Sequence, residues 1–167
     1  MQTISMNGKD YSVIRLLGHG KGGYSYLVTD GEREYVLKQI HHEPCDYYQF
    51  GDKLQSELRD YRRLKDLGLR IPELYEVDEP NERLLKQYIV GDTVAALVEK
   101  DAVKPTYFDQ IRQMCALVYG AGLNIDYYPT NFVVQDDLLY YIDYECNPYM
   151  DQWNFENWGI GYWKKER

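Results

Sequence analysis

Three oxygen-bearing side chains have the types and spacing to manage a phosphoryl group. In NIDYYPTNFVV, Asp126 and Asn131 stand five residues apart with Pro129 between them. This is the D-x-x-x-x-N spacing of a phosphotransfer loop, in which the Asp accepts a hydroxyl proton and the Asn holds magnesium. Twelve residues on, YYIDYE is an apolar strand ending on Asp143. A carboxylate there suits a magnesium ion, because hard cations take oxygen ligands and retain waters. Each residue alone also suits a turn or a cap. Their order and spacing make the set informative.

A second group lies near the start of the chain. LGHGKGGYSYLV, from Leu17 to Val28, holds four glycines within six residues, and Gly18, Gly20 and Gly23 satisfy G-x-G-x-x-G. A dinucleotide-binding turn needs a helix directly after the loop, but here alternating residues run into an Asp30-Gly31 hairpin signal. A Walker loop needs Lys followed by Ser or Thr, whereas Lys21 precedes Gly22. What remains is a glycine-rich strand–turn–strand that covers ATP phosphates, or a glycine-rich turn with no ligand. YVLK then places Lys38 on the next strand, where it holds the α- and β-phosphates or merely protects a sheet edge. Glu57, at the margin of a helical stripe, is placed to reach Lys38 as an ion pair. The alternative is an ordinary exposed helical glutamate.

The elements that must position these residues are partly legible. TISMN, YSVIRLL, YSYLVTD and REYVLKQI read as strands. A helix is predicted from about Gly51 to Leu67, with Leu54, Leu58, Tyr61, Leu64 and Leu67 on one stripe, ended by Gly68 and Pro72. ELYEVD and RLLKQYIV are further strands around Pro80-Asn81. Helices are predicted at about Asp92–Lys100 and Pro105–Tyr119, followed by a loop and the hairpin NFVVQDDLLYYID. The tail WNFENWGIGYW suits an amphipathic helix. Strands first and helices mostly later is an α+β order, with a boundary near Gly91.

Composition narrows the classes. The 167 residues are enough for one domain or a small two-lobed unit. A hydrophobic share of 44% and a charged share of 28% are those of a soluble globular protein. The net charge of −8 argues against a nucleic-acid partner. No apolar stretch approaches a membrane span, and the polar opening does not read as a signal peptide. Cys45, Cys115 and Cys146 are far apart and odd in number, which suggests reduced thiols and a cytoplasmic location. His41 and His42 read as solvated residues with no histidine cluster to join. Trp153, Trp158 and Trp163 recur at five-residue spacing, which suits core packing or a homodimer surface.

On these motifs the chain resembles the protein-kinase-like superfamily, and more closely its reduced, atypical members. These are the RIO and lipopolysaccharide-sugar kinases and the choline-kinase and aminoglycoside-phosphotransferase branch. The resemblance runs from about Tyr11 to Asp143. It implies a minimal two-lobed α+β fold, with an antiparallel-sheet N-lobe over 1–90 and a short helical C-lobe over 91–167. It further implies Mg-ATP as cofactor, covered by Gly18, Gly20 and Gly23, with Lys38 and Glu57 as the phosphate-holding pair. LLKQYIVG resembles the hinge that meets adenine, which puts Gln87, Tyr88 and Ile89 in that role. Asp126 is then the catalytic base, and Asn131 and Asp143 hold magnesium. The γ-phosphate passes to a hydroxyl of a protein or small molecule.

The departures open other readings. Asn124-Ile125 stands where the family has a His-containing brace, and Tyr128 replaces a Lys or His that helps at the γ-phosphate. The third motif reads Asp143-Tyr144-Glu145, without the usual glycine, and 24 residues follow Asp143. A full substrate lobe does not fit that length, so an open acceptor site or a partner chain is expected. A pseudokinase that binds nucleotide or protein is one alternative. A small-molecule kinase, favoured by the acidic IDYE ending, is another.

Overall fold

A computed structural model describes residues 2–20, 22–43 and 52–166. The predicted helix start at Gly51, and Lys21 and Cys45, lie outside them. The chain divides into two compact units, one of residues 1–56 with 72–88 and the other of 57–71 with 89–167.

The first unit is a six-stranded antiparallel sheet. Its strands are β1 (Thr3–Met6), β2 (Lys9–His19), β3 (Gly23–Thr29), β4 (Glu34–Ile40), β5 (Leu74–Asp78) and β6 (Arg83–Gln87), in the order β1-β2-β3-β4-β6-β5. Two turns set its registers. Asn7-Gly8, both at positive φ, joins β1 to β2, a two-residue turn whose twist matches the strands. Asp30 closes β3–β4 by accepting from the backbone N–H groups of Glu32 and Arg33, at 2.9 Å each. Ile4, Met6, Tyr11, Val28, Leu37 and Leu85 form a buried cluster, with every second residue of a strand pointing to the same face.

Helix α1 (Lys53–Asp66) carries the predicted stripe, with Leu54, Leu58 and Leu64 buried. Asp52 caps it, its carboxylate accepting from Gln55 N–H at 3.1 Å. Gly68, at φ +85°, ends it. Leu69 N–H reaches Leu64 O and Gly68 N–H reaches Lys65 O, the paired bonds of a Schellman end.

The second unit contains more strand than expected. Besides α2 (Val94–Glu99) and α3 (Pro105–Gly120), it has a three-stranded sheet of β7 (Asp92–Thr93), β9 (Phe132–Gln135) and β10 (Leu138–Tyr141). It also has a two-stranded ribbon of β8 (Leu123–Ile125) and β11 (Cys146–Pro148). The helix predicted from Asp92 starts two residues later, because Asp92 and Thr93 pair with Val134 and Val133. Thr93 then serves as its cap, its hydroxyl accepting from Ala96 N–H at 3.1 Å. Gly91 is required just before: a Cβ there would lie 1.9 Å from the Val134 carbonyl oxygen.

Helix α3 buries Tyr107, Ile111, Met114, Cys115 and Val118 and anchors the β9–β10 hairpin from the side. Tyr107 donates its hydroxyl to Asp137 at 2.7 Å, and Gln110 bonds both Asp137 O and Leu139 N–H. The tail does not form one amphipathic helix. It runs as a 3-10 turn (Asp151–Trp153), a π-helical turn (Phe155–Gly159) and α4 (Ile160–Trp163). Trp163 is buried while Trp153 is half exposed, so the five-residue tryptophan spacing does not mark a single face. None of the described helices is long and apolar enough to cross a membrane.

Candidate active site

Asp126 and Asn131 lie on the loop between β8 and β9, and a 3-10 turn at Pro129–Asn131 brings them together. The Asn131 side-chain amide donates to the Asp126 carbonyl at 3.3 Å, which leaves its Oδ1 as the acceptor for a cation. Asp126 Oδ1 accepts from Tyr128 N–H at 3.2 Å, and Asn131 N–H donates to Tyr128 O at 3.0 Å. β10 ends at Tyr141, two residues before the predicted strand end. Phe132 pairs with Tyr141, and Ile142 N–H continues the ladder to Asn131 O at 2.9 Å. Asn131 and Asp143 therefore emerge from the same open end of one hairpin. An amide oxygen and a carboxylate are the hard donor set that fits magnesium with waters completing its shell.

Tyr141 holds this loop from within. Its hydroxyl accepts from Asp126 N–H at 3.1 Å and donates to the Glu145 carbonyl at 2.8 Å. The ring is fully buried against Phe132, centroid to centroid 5.1 Å. Burial, together with the negative charges of Asp143 and Glu145, pushes the hydroxyl well above its ordinary value, so it stays protonated and able to donate. One side chain thus ties the Asp126 loop to the segment that carries Asp143.

The tail supplies a second hold. Trp163 Nε1–H donates to the Tyr127 carbonyl at 2.9 Å. Its ring packs edge-on against Phe132 and Phe155, at 5.2 and 5.4 Å. Gly159 lies so near Tyr127 that a Cβ would sit 2.5 Å from the tyrosine Cβ. Tyr127 is buried and donates to Asn124 Oδ1 at 3.3 Å, while Asn124 Nδ2 donates to Met150 O at 3.1 Å. Sequence reading passed over Tyr141, Trp163, Gly159 and Asn124 as site residues. The β8–β11 ribbon that folds the tail back is too short to leave a periodic signal.

In the first unit, Lys38 sits on β4, an interior strand paired with both β3 and β6, so it does not protect an edge. The glycine turn lies along its side chain. A Cβ on Gly22 would stand 3.7 Å from Lys38 Nζ, and one on Gly23 would stand 3.1 Å from Cε and 2.5 Å from Gln39 O. Gly18 and Gly20 face open space. Gln87 ends β6 and is tied to Glu73 through both its backbone N–H and its side chain. Tyr88 lies 3.5 Å from an Arg15 guanidinium nitrogen. In the second unit, Ile89 is buried, and Glu57 is buried on α1.

Comparison with known proteins finds distant relatives. The chain is 26% identical over 124 residues to the KEOPS complex subunit Bud32 of Pyrococcus abyssi, covering 72% of this chain and 56% of that protein. It is 22% identical over 151 residues to the dual specificity protein kinase TTK of Mus musculus, covering 86% of this chain and 18% of that one. The chain is related to the protein-kinase-like superfamily. No family model matches it. It spans about half the length of the archaeal relative and under a fifth of the mouse one. Tyr128 is partly exposed and packs edge-on against Tyr162 at 5.2 Å. The loop that lacks a His brace has Tyr141 and Trp163 instead.

Proposed function

We propose that the chain is an ATP- and magnesium-dependent phosphotransferase that moves the γ-phosphate to a hydroxyl. The observation that carries this reading is the hairpin end at which Asn131 and Asp143 emerge together beside the Asp126 loop. Gly18 and Gly20 support it, because neither steric contact nor a left-handed backbone requires glycine there. A ligand that approaches the backbone would require it.

In this reading the backbone amides of the glycine turn cover the phosphates, and Lys38, oriented by Glu57, holds the α- and β-phosphates. Backbone groups of Gln87, Tyr88 and Ile89 meet the adenine. Asp126 accepts the proton of the acceptor hydroxyl as its oxygen bonds to the γ-phosphorus. The bond from that phosphorus to the β-bridging oxygen breaks, and ADP leaves with the electron pair. Asn131 Oδ1 and the Asp143 carboxylate are the residues that would hold magnesium, which when bound would supply charge neutralisation at the phosphate oxygens. In this reading the nucleotide-covering residues belong to an N-lobe over 1–90 and the catalytic ones to a C-lobe over 91–167.

Tyr128 favours a second reading, a pseudokinase that retains nucleotide but transfers phosphate slowly or not at all. Its neutral ring replaces a cation that would stabilise the transferring phosphoryl group. ATP turnover measured with small alcohols and with protein acceptors separates the two. Turnover abolished by Asp126→Ala supports the phosphotransferase. Nucleotide binding without turnover under any acceptor supports the pseudokinase.

A further inference from the structure

The histidines near the glycine turn are not the isolated solvated residues that their sequence positions suggest. Residues from two strand ends meet at the tip of the first unit: His19 from the end of β2, and His41 and Glu43 from the segment after β4. One ring nitrogen of each histidine and one Glu43 oxygen lie within 4.8 Å of one another, and His19 Nε2 stands 3.7 Å from Glu43 Oε1. We propose that His19, His41 and Glu43 form a binding site for one transition-metal dication of the zinc class, clamping the glycine turn to the end of β4.

Two imidazoles and one carboxylate are the donor set that three-ligand zinc sites use, with water in the remaining position. They are a poor match for magnesium, which prefers oxygen alone. With bonds of about 2.0–2.2 Å, tetrahedral ligand atoms stand about 3.3–3.6 Å apart. The present set is slightly wider, and small rotations of partly exposed side chains close it. The surrounding contacts orient each ligand, as is usual around bound metals. The His19 ring stacks on Tyr24 at 4.3 Å, with an interplanar angle of 11°. Tyr24 donates its hydroxyl to Glu43, and that bond, chiefly, holds the Glu43 carboxyl below its ordinary value. His41 Nε2 lies 2.7 Å from the Gly20 carbonyl. Donation there makes Nδ1 the lone-pair nitrogen, and a metal bound to it would replace the 3.3 Å bond that it accepts from Glu43 N–H. The His41 backbone is itself held, its N–H donating to Gly22 O at 3.2 Å and its carbonyl accepting from the Lys53 ammonium.

The site stands on different residues from the proposed nucleotide chemistry, and it stands whether or not that reading holds. Its test is titration of the full chain with Co(II), followed by calorimetry with Zn(II) and by the cobalt absorption spectrum. The expected result is one ion per chain in a spectrum free of thiolate charge-transfer. Affinity should fall at least tenfold in each of His19→Ala, His41→Ala and Glu43→Gln, and by about tenfold in Tyr24→Phe, which removes only the hydroxyl that orients Glu43. His42, whose ring lies 2.6 Å from Glu82, is the control, and His42→Ala should bind as the wild type does. Failure of the wild type to bind, equal affinity in the three ligand variants, or a thiolate band would each overturn the proposal.

Discussion

The Tyr141 hydroxyl accepts a hydrogen bond from the Asp126 backbone N–H at 3.1 Å and donates one to Glu145 O at 2.8 Å. A buried hydroxyl between two backbone groups fixes both, because each would otherwise be left without a partner in a dry interior. The candidate base and the candidate metal ligand two residues past Tyr141 thus share one support. That support comes from the hairpin itself and not from a residue preceding Asp126.

Tyr141→Phe isolates this relationship, since the ring keeps its packing on Phe132 while the hydroxyl is lost. It is expected to cost about 1–3 kcal/mol in urea denaturation, the usual penalty for buried groups left unpaired. Magnesium-dependent nucleotide binding should weaken beyond what that loss of stability explains, because Asn131 and Asp143 lose a common reference. Unchanged stability would mean that the hydroxyl carries none of this load.

The tail is expected to act on the same loop. Trp163→Ala should destabilise by about 3–5 kcal/mol, the range for a buried large aromatic. Trp163→Phe should cost less while still leaving Tyr127 O without its donor. Gly159→Ala, which forces a methyl to 2.5 Å from Tyr127 Cβ, should cost about 1–3 kcal/mol by overpacking. Thermal denaturation of the three variants checks this order.

The glycines divide into structural and ligand-facing sets. Gly91→Ala and Gly23→Ala would each drive a Cβ into backbone, at 1.9 Å from Val134 O and 2.5 Å from Gln39 O, and should destabilise the fold clearly. Gly18→Ala and Gly20→Ala meet open space and should leave stability within about 0.5 kcal/mol, yet reduce ATP affinity. If the second pair also leaves nucleotide binding intact, those glycines do not serve phosphates.

Acid sensitivity should follow the turn carboxylates. The backbone N–H groups of Arg33 and Glu32, with the Lys9 ammonium, hold the Asp30 carboxyl well below its usual range. Tyr107 and Lys104 also lower the Asp137 carboxyl from its ordinary value. A folded value below the unfolded one gives stability that is complete above the unfolded value, about 3.9, and lost as pH falls toward the folded one. Denaturation midpoints should therefore be level from neutral pH to about 5 and drop below about 4. Asp137→Asn should shrink that drop.

Much of the arrangement was legible because it rests on local signals. The Asp30-Gly31 turn fixes the β3–β4 register, the leucine stripe fixes α1, and D-x-x-x-x-N fits a single tight turn. What escaped notice depends on contacts between distant residues. Nothing local marks Tyr141 among 18 tyrosines as the one that meets Asp126. The Trp163–Tyr127 bond spans 36 residues, and the pairing of β8 with β11 rests on three residues in each strand. His19 and His41 lie 22 positions apart and become neighbours only when β2, β3 and β4 pair. Such couplings follow from tertiary packing and leave no period in the sequence.

The proposed role of Asn131 and Asp143 is to hold the magnesium of a bound nucleotide. Calorimetric titration of ATP, with and without magnesium, on wild type and Asp143→Ala tests it most directly. Binding to the wild type should strengthen with magnesium, and Asp143→Ala should lose that strengthening while thermal stability is retained. Magnesium dependence that survives intact in the variant, or no binding by the wild type at millimolar ATP, would contradict it.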